Sequence, residues 1–457
     1  MDANKVFFGL FLSSLVFLAF VGGSLATVAE VFPAEYIRNA YRAANAFALK
    51  STSQGSPYWS DLWMPTRTSK QGVVAHDPDR ARQGLTLFTS GHGPKAYLLD
   101  MDGEVVHSWE RPFSEVWDDT STVADPVPDS HTYFRKARVF PDGDLLAIYI
   151  GVGDTPWGYG MVRLDRDARV IWKNLDRFHH DFAVAEDGRI FGLTHAFRRE
   201  KLEEVDHIKP PFLEDSLAVL SPEGETTKKI SLVEAFNASE EYRRLLWRIP
   251  YYSLEDPLHT NGVDYLDEEA AERLSRKVPE AAEGQVLLSF RELAGGALAL
   301  LDPETEEVVW ALRGPWLSQH DPDILPNGNL LLFDNRGHFG PGDRSRIAEV
   351  DPSTGGVVWA FSGDEERPLE SRIRGAQQPL DNGNILITES NGGRLLEITP
   401  DGEVVWEYVN PRRAMDEDGK SFTPVVSWGQ RVTPEYLSSG FRDQFGDKRL
   451  VKGQGLQ

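Results

Sequence analysis

One pattern recurs six times in this chain: an apolar strand, a tight polar turn and a second apolar strand, often ending in tryptophan. The copies are YLLDMDGEVVHSW (97–109), VRLDRDARVIW (162–172), AVLSPEGETTKKISL (218–232), LALLDPETEEVVW (298–310), IAEVDPSTGGVVW (347–359) and LLEITPDGEVVW (395–406). Their turns are mostly Asp-Gly, Glu-Gly or Asp-Pro-x-Thr, which reverse a strand. A second unit precedes most of them, as in VFPDGDLLAIY, VAEDGRIFGLTH, ILPNGNLLLFDN and PLDNGNILITES. Together the two units make four short strands per repeat, and six such repeats predict an all-β, six-bladed β-propeller, whose ring leaves no long sheet edge exposed. The intervals lack helical periodicity, which argues against an α/β fold.

Before the repeats, Val6 to Ala29 carries no charge, long enough at 1.5 Å per residue to span a bilayer core of roughly 30 Å. Lys5 precedes it and Glu30 and Glu35 follow. The positive-inside rule then puts the N-terminus in the cytoplasm and the propeller outside, on the periplasmic or extracellular face. Ser24-Leu25-Ala26 is a passable cleavage site, so a signal peptide is the alternative to an uncleaved anchor. The expected organisation is 1–32 as membrane anchor or signal segment, 33–83 as helical or irregular linker (with a helical stretch over 34–49), 84–440 as propeller and 441–457 as tail. Longer connections at 198–216 and 233–257 flank the third repeat, and 267–285 predicts a short surface helix. The strand-like VVSWGQRVTPEYL near the C-terminus is placed to complete the first blade and join the two ends of the chain.

Composition narrows the chemistry. A formal net charge of -23 repels phosphate backbones, so nucleic acid is not an expected partner. With no cysteine, disulfides, thiolate nucleophiles and Cys-ligated metal centres are excluded. No Walker A loop, dinucleotide fingerprint or Gly-x-Ser-x-Gly elbow is present, and no cofactor is expected.

Register supplies the candidate site. Eight residues before each blade's first turn glycine stand Arg135, His180, His320 and Gly375, and His259 stands eight before Asp267 in the fourth blade. First strands line the channel of a propeller, so Arg135, His180, His259 and His320 converge on its mouth. The second strands return to the same end at Tyr149, His195, Arg291, Asn335 and Asn391. A single strand histidine is more often a hydrogen-bonded structural group than a catalyst, but three at one repeat-equivalent position predict a cationic anion trap. Tyr149 and Trp157 are candidates to stack on an aromatic substrate. Three imidazoles suit zinc or copper, but no Glu accompanies them and Arg291 opposes a dication, so no metal is expected. The motif at His76–Asp79 echoes His320–Asp323, but no blade strand is evident around it.

From about residue 84 to 440 the chain resembles the bacterial arylsulfate sulfotransferases, six-bladed periplasmic propellers. LHTNG (258–262), VLLSFREL (286–293), SQHDPDILPNGNLLLFDN (318–335) and HHDF (179–182) carry the resemblance. It implies ping-pong transfer of a sulfuryl group from an aryl sulfate to a phenol, without a nucleotide donor. His320 matches the nucleophile that becomes a transient sulfohistidine. His180, His259 and Arg291 match residues that hold the sulfuryl oxygens, and Asn261 a supporting hydrogen-bond donor. Asn335, Arg135, Tyr149 and His195 complete the expected substrate-binding set. Well-known members carry a further N-terminal β-domain that pairs subunits and a disulfide. This chain has no room for the first and no cysteine for the second, which leaves its oligomeric state open. A non-catalytic propeller binding a small anion or extracellular glycan through the same pocket is the alternative. A quinone-dependent dehydrogenase, suggested by the Trp-ended repeats, conflicts with the blade count and the histidines.

Overall fold

The computed structural model describes residues 3–29, 31–34, 36, 37, 40, 41, 44, 60–336 and 344–445. Most of the expected helical stretch over 34–49, and all of the tail beyond 445, lie outside them.

Five four-stranded antiparallel sheets and one five-stranded sheet account for most of the strands, each a meander running outward from its first strand. The first strands of sheets two to six are Thr132–Val139, Phe178–Val184, Thr260–Tyr265, His320–Ile324 and Ala376–Pro379. In the first sheet the innermost position is taken by Val426–Val432, which pairs with Leu85–Ser90. The two ends of the repeated region thus share one sheet, the closure expected of VVSWGQRV. Each inner strand contacts the inner strand of the next sheet, and Ala376–Pro379 returns to Val426–Val432, so the ring is closed and propeller-like.

The turns that generate the meanders follow their sequence. Gly143 has φ of 92°, a left-handed conformation that suits glycine, and a Cβ there would lie 2.5 Å from the Phe441 ring. In the second hairpins an aspartate caps the turn: Asp165 Oδ1 accepts the N–H groups of Asp167 and Arg169, both at 2.8 Å.

Three of the recurring tryptophans join one sheet to the next. Trp109 Nε1 donates to the Gly143 carbonyl (3.1 Å), Trp172 Nε1 to Pro222 (3.1 Å) and Trp406 Nε1 to Met101 (2.9 Å). Each indole lies within the fourth strand of its meander and reaches a turn of the following sheet. It buries apolar area between sheets while satisfying its one donor. Most of the apolar core lies in these inter-sheet layers.

The segment before the ring departs from the irregular linker expected for it. Trp63–Pro65 joins a three-stranded sheet with Ser421–Pro424 and Ala414–Met415. Gly72–His76 adds a fifth, outermost strand to the sixth sheet, so His76 ends a strand after all, on the rim and outside the inner ring. A five-residue run with one turn-forming neighbour carries too weak an alternation to be recognised alone. The insertion at 267–285 does begin as a helix, Glu268–Ser275, with Asp267 as its N-cap. At the other end of the chain, the exposed helix Ala3–Val28 contains a span, Lys5–Val28, with a mean hydropathy of 2.3, apolar and long enough to cross a membrane. Membrane anchors and signal sequences share this character.

Candidate active site

Five of the six inner strands break register at one end of the ring. The breaks fall between Phe134 and Ala137, His179 and Phe182, Thr260 and Gly262, His320 and Asp323, and Val426 and Trp428. At these irregularities or beside them, three non-glycine residues take positive φ: His180 (52°), His259 (44°) and Asp321 (52°). Such residues cost of order 1–3 kcal/mol and concentrate at functional sites. A bulge re-aims side chains that plain alternation would send elsewhere. The repeat-equivalent residues Arg135, His180, His259 and His320 are thereby gathered.

His320 is buried, and its Nδ1 lies 2.8 Å from Asn335 Oδ1. The Asn335 amide nitrogen donates to two backbone carbonyls, Ser371 (2.6 Å) and Arg374 (2.7 Å). The amide orientation is therefore dictated: its oxygen faces His320 and can only accept. Nδ1 must carry the proton, which leaves the lone pair of neutral His320 on Nε2. Burial, then Arg135, holds the His320 pKa well below its ordinary value; Asn335 opposes, and Arg291 and His259 add to the depression. Asn261 supports the strand entry by donating to the Gln319 carbonyl at 2.8 Å, while its own Oδ1 is buried and meets no donor among the described residues. This donor is spent on backbone next to His320.

Around His320 stand cations and rings. His180 and His259 have ring centroids 5.0 Å apart, and Trp157 lies 6.0 and 5.5 Å from them. Trp157, expected as an aromatic platform, is within the cluster. His259 Nδ1 hydrogen-bonds Asp256. The Arg291 N–H donates to the His259 carbonyl at 3.1 Å, and its guanidinium Nε is 3.1 Å from Glu292. Arg135 is 4% exposed and gives one N–H to the Ser427 carbonyl at 2.9 Å, while its Nε meets no acceptor among the described residues. Burial pulls its pKa down. A buried guanidinium with an unspent donor is costly unless an anion completes it.

A second layer lies behind His180. His179 Nδ1 is 2.7 Å from His180 Nδ1, and His179 Nε2 is 3.4 Å from Asp215 Oδ1, an ion-pair separation without hydrogen-bond alignment. Burial acts to raise the Asp215 pKa, but His179 and the Thr260 N–H (2.6 Å from Oδ2) outweigh it, so the carboxyl lies below its usual range. His195 stacks on His179 with centroids 4.2 Å apart. Ligand atoms of His179, His195 and Asp215 lie within 4.8 Å of one another, spacing that suits a metal ion. The donor chemistry does not suit one. His195 Nε2 accepts the Gly158 N–H at 3.0 Å, so the proton of this buried, neutral ring sits on Nδ1, and neither nitrogen keeps a lone pair free for a metal.

Tyr149, expected to bind substrate, does not face the pocket. It is fully buried between the first and second sheets, packed on Phe113 and Phe134, with its hydroxyl donating to the Arg111 carbonyl at 2.8 Å. Its strand ends at the right side of the ring, but the side chain faces the inter-sheet core, where an aromatic ring buries the most area. His195 reaches the second layer and holds Gly158 and His179. Asn391 Oδ1 accepts the Ile373 N–H at 3.2 Å, a structural contact. Residues that register alone did not find are His179, Asp215, Asp256 and Arg374. The doubled histidine of HHDF was the available signal for His179.

Further along the inner strands the ring encloses a cavity of about 470 Å³ lined by Lys136, Asp264, Asp321, Asp323, Gln377 and Trp428, among others. Lys136 pairs with Asp181 and lies 4.1 Å from the Trp428 ring centre. Burial pushes Asp264 and Asp321 up to about 7. The ring is thus cationic at one end and acidic beyond it.

Against known proteins, the family model described as arylsulfotransferase (ASST) matches residues 136–411, more than half the chain, and spans every residue of the histidine cluster. No curated protein matches the sequence. Among solved structures, a Bacteroides caccae protein of unknown function is 13% identical, with 76% of this chain and 98% of that one covered and a TM-score of 0.46. A streptogramin B lyase is 13% identical over 80% of this chain and 95% of that one (TM-score 0.39), and the Dos1 propeller 11% over 80% and 83% (TM-score 0.38).

Proposed function

The chain belongs to the arylsulfotransferase family, and on that premise we propose that it is a nucleotide-independent, ping-pong sulfotransferase acting through a sulfohistidine at His320. The observation that carries this reading is the Asn335–His320 contact, which leaves an unprotonated Nε2 on a buried ring among Arg135, Arg291, His180 and His259. In the first half-reaction the Nε2 lone pair attacks the sulfur of an aryl sulfate. The N–S bond forms as the S–O bond to the ring breaks, and the phenol departs after taking a proton. In the second, a phenolic acceptor attacks the same sulfur, gives up its proton, and returns the electron pair of the N–S bond to Nε2. A covalent intermediate divides one difficult step into two. The unspent Nε–H of Arg135 and the neighbouring Arg291 guanidinium are suited to the sulfuryl oxygens as charge redistributes, each such donor contributing roughly 10²–10³-fold by analogy with oxyanion holes. Trp157 offers a face to either aromatic partner.

We read the six sheets as six blades and Ala3–Val28 as an anchor that leaves them outside the cytoplasm. Alkaline extraction of membranes tests the anchor: the full chain is expected in the pellet, and release of a shortened chain identifies a cleaved signal. The mechanism is tested by initial rates with varied donor and acceptor. Parallel double-reciprocal lines are expected; intersecting lines exclude a ping-pong route.

A further inference from the structure

His180 is poorly suited to holding a proton by itself. It lies in a buried cluster with His259, Arg135 and His320 about it, and no carboxylate contacts it directly among its described hydrogen bonds. Yet sulfuryl transfer requires a proton to be delivered to the leaving phenolate and recovered from the acceptor. The contact His180 does make is to His179, through the two Nδ1 atoms at 2.7 Å, and on the far side of His179 stands Asp215 at 3.4 Å. Resting on the sulfotransferase reading above, we propose that His179 and Asp215 form a proton relay behind His180, which stores between turnovers the proton consumed in the first half-reaction and returned in the second.

The geometry supplies each stage. With the proton stored, His179 is an imidazolium against Asp215, its Nδ1–H donating to His180 Nδ1, and His180 presents Nε2–H to the pocket. When the aryl oxygen leaves with its electron pair, the Nε2 proton passes to it and the Nδ1 proton of His179 passes to His180. His179 is then neutral, with its remaining proton on Nε2 toward Asp215. The Nδ1···Nδ1 contact persists with donor and acceptor exchanged. The acceptor phenol reverses both transfers as its oxygen bonds to sulfur. Asp215 stays an anion throughout, held by the Thr260 N–H at 2.6 Å. His195 keeps the relay aligned: its Nε2 is pinned by the Gly158 N–H and its ring covers the face of His179 at 4.2 Å. His179 and Asp215 are therefore positioning residues that act through His180.

The distinguishing readout is the basicity of the leaving group, because a more basic phenolate depends more on its proton donor. The full-length protein in detergent is assayed with 4-nitrophenyl sulfate, whose phenolate is weakly basic, and with phenyl sulfate. Asp215→Asn, which keeps an acceptor for Thr260, and His179→Gln are expected to slow both donors, but phenyl sulfate by about tenfold or more beyond the other. Equal losses with the two donors, or no loss, overturn the relay. The wild-type protein gives an independent readout: its proton inventory with phenyl sulfate is expected to curve, with two protons in flight, and a straight line overturns the relay without any variant. A wild-type protein that forms no sulfohistidine fails the underlying reading instead, a result separate from all of these.

Discussion

His320 Nδ1 lies 2.8 Å from Asn335 Oδ1, and Asn335 is turned to make that contact by two carbonyls that occupy its amide nitrogen. One side chain thereby sets which imidazole nitrogen is available and, in the proposed mechanism, whether His320 can attack. Asn335→Ala removes that choice and leaves the Ser371 and Arg374 carbonyls without their partner. We expect sulfuryl-enzyme formation to slow about 10–100-fold, by analogy with the loss of groups that orient metal-ligating histidines. Unmet buried carbonyls add about 1–3 kcal/mol of destabilisation. Stopped-flow nitrophenol release and a thermal melt read the two effects separately; an unchanged burst rate contradicts the role.

His320, the proposed nucleophile, is expected to stay unprotonated at mildly acidic pH. Burial and Arg135 hold the His320 pKa well below its ordinary value, whereas an unperturbed histidine titrates near 6.5. The pre-steady-state burst rate therefore stays level as pH falls through that value. An acid limb with its midpoint near 6.5 contradicts the electrostatic account.

Arg135 separates function from stability. Its charge is buried with one hydrogen bond to Ser427 and an Nε that meets no acceptor among the described residues. Replacing a poorly compensated buried charge with an apolar side chain is often neutral or stabilising. Arg135→Met is expected to keep or raise the melting temperature and to lower kcat/KM for aryl sulfates by roughly 10²-fold or more. Lost stability with retained turnover makes Arg135 structural.

How much of this was legible in the sequence depends on what each residue's position obeys. Four-strand repetition and register brought Arg135, His180, His259 and His320 together because equivalent positions in a closed ring must converge. Tyr149 went astray because counting to a strand end says which side of the ring a residue reaches, not which face of the sheet it occupies. His179 escaped because adjacent residues alternate in a regular strand, and the irregularity between His179 and Phe182 suspends that rule. Asp215 comes from the third strand of its sheet, Phe212–Leu220, with no spacing that ties it to the doubled histidine. Asn335 was visible as a strand end, but its control of the tautomer needed the carbonyls of Ser371 and Arg374.

The acidic cavity predicts a pH-dependent stability. Burial raises Asp264 and Asp321 to about 7, with Asp181 and Asp323 facing them and Lys136 opposing. Carboxyls whose folded pKa is raised bind more protons in the folded than in the unfolded state, so they erode stability as pH climbs from about 4 to about 7. Asp264→Asn should raise the melting temperature more at pH 8 than at pH 5. An equal gain at both pH values removes the linkage.

The proposed mechanism stands on a covalent bond to one nitrogen of His320. Full-length protein is mixed briefly with 4-nitrophenyl sulfate without an acceptor, quenched, and its intact mass measured, with the adduct located by peptide mapping. The account predicts a gain of about 80 Da on His320, the mass of one sulfuryl group, with a stoichiometric burst of nitrophenol. It predicts neither signal in His320→Asn. Nitrophenol release with no adduct, or an adduct on another residue, contradicts it.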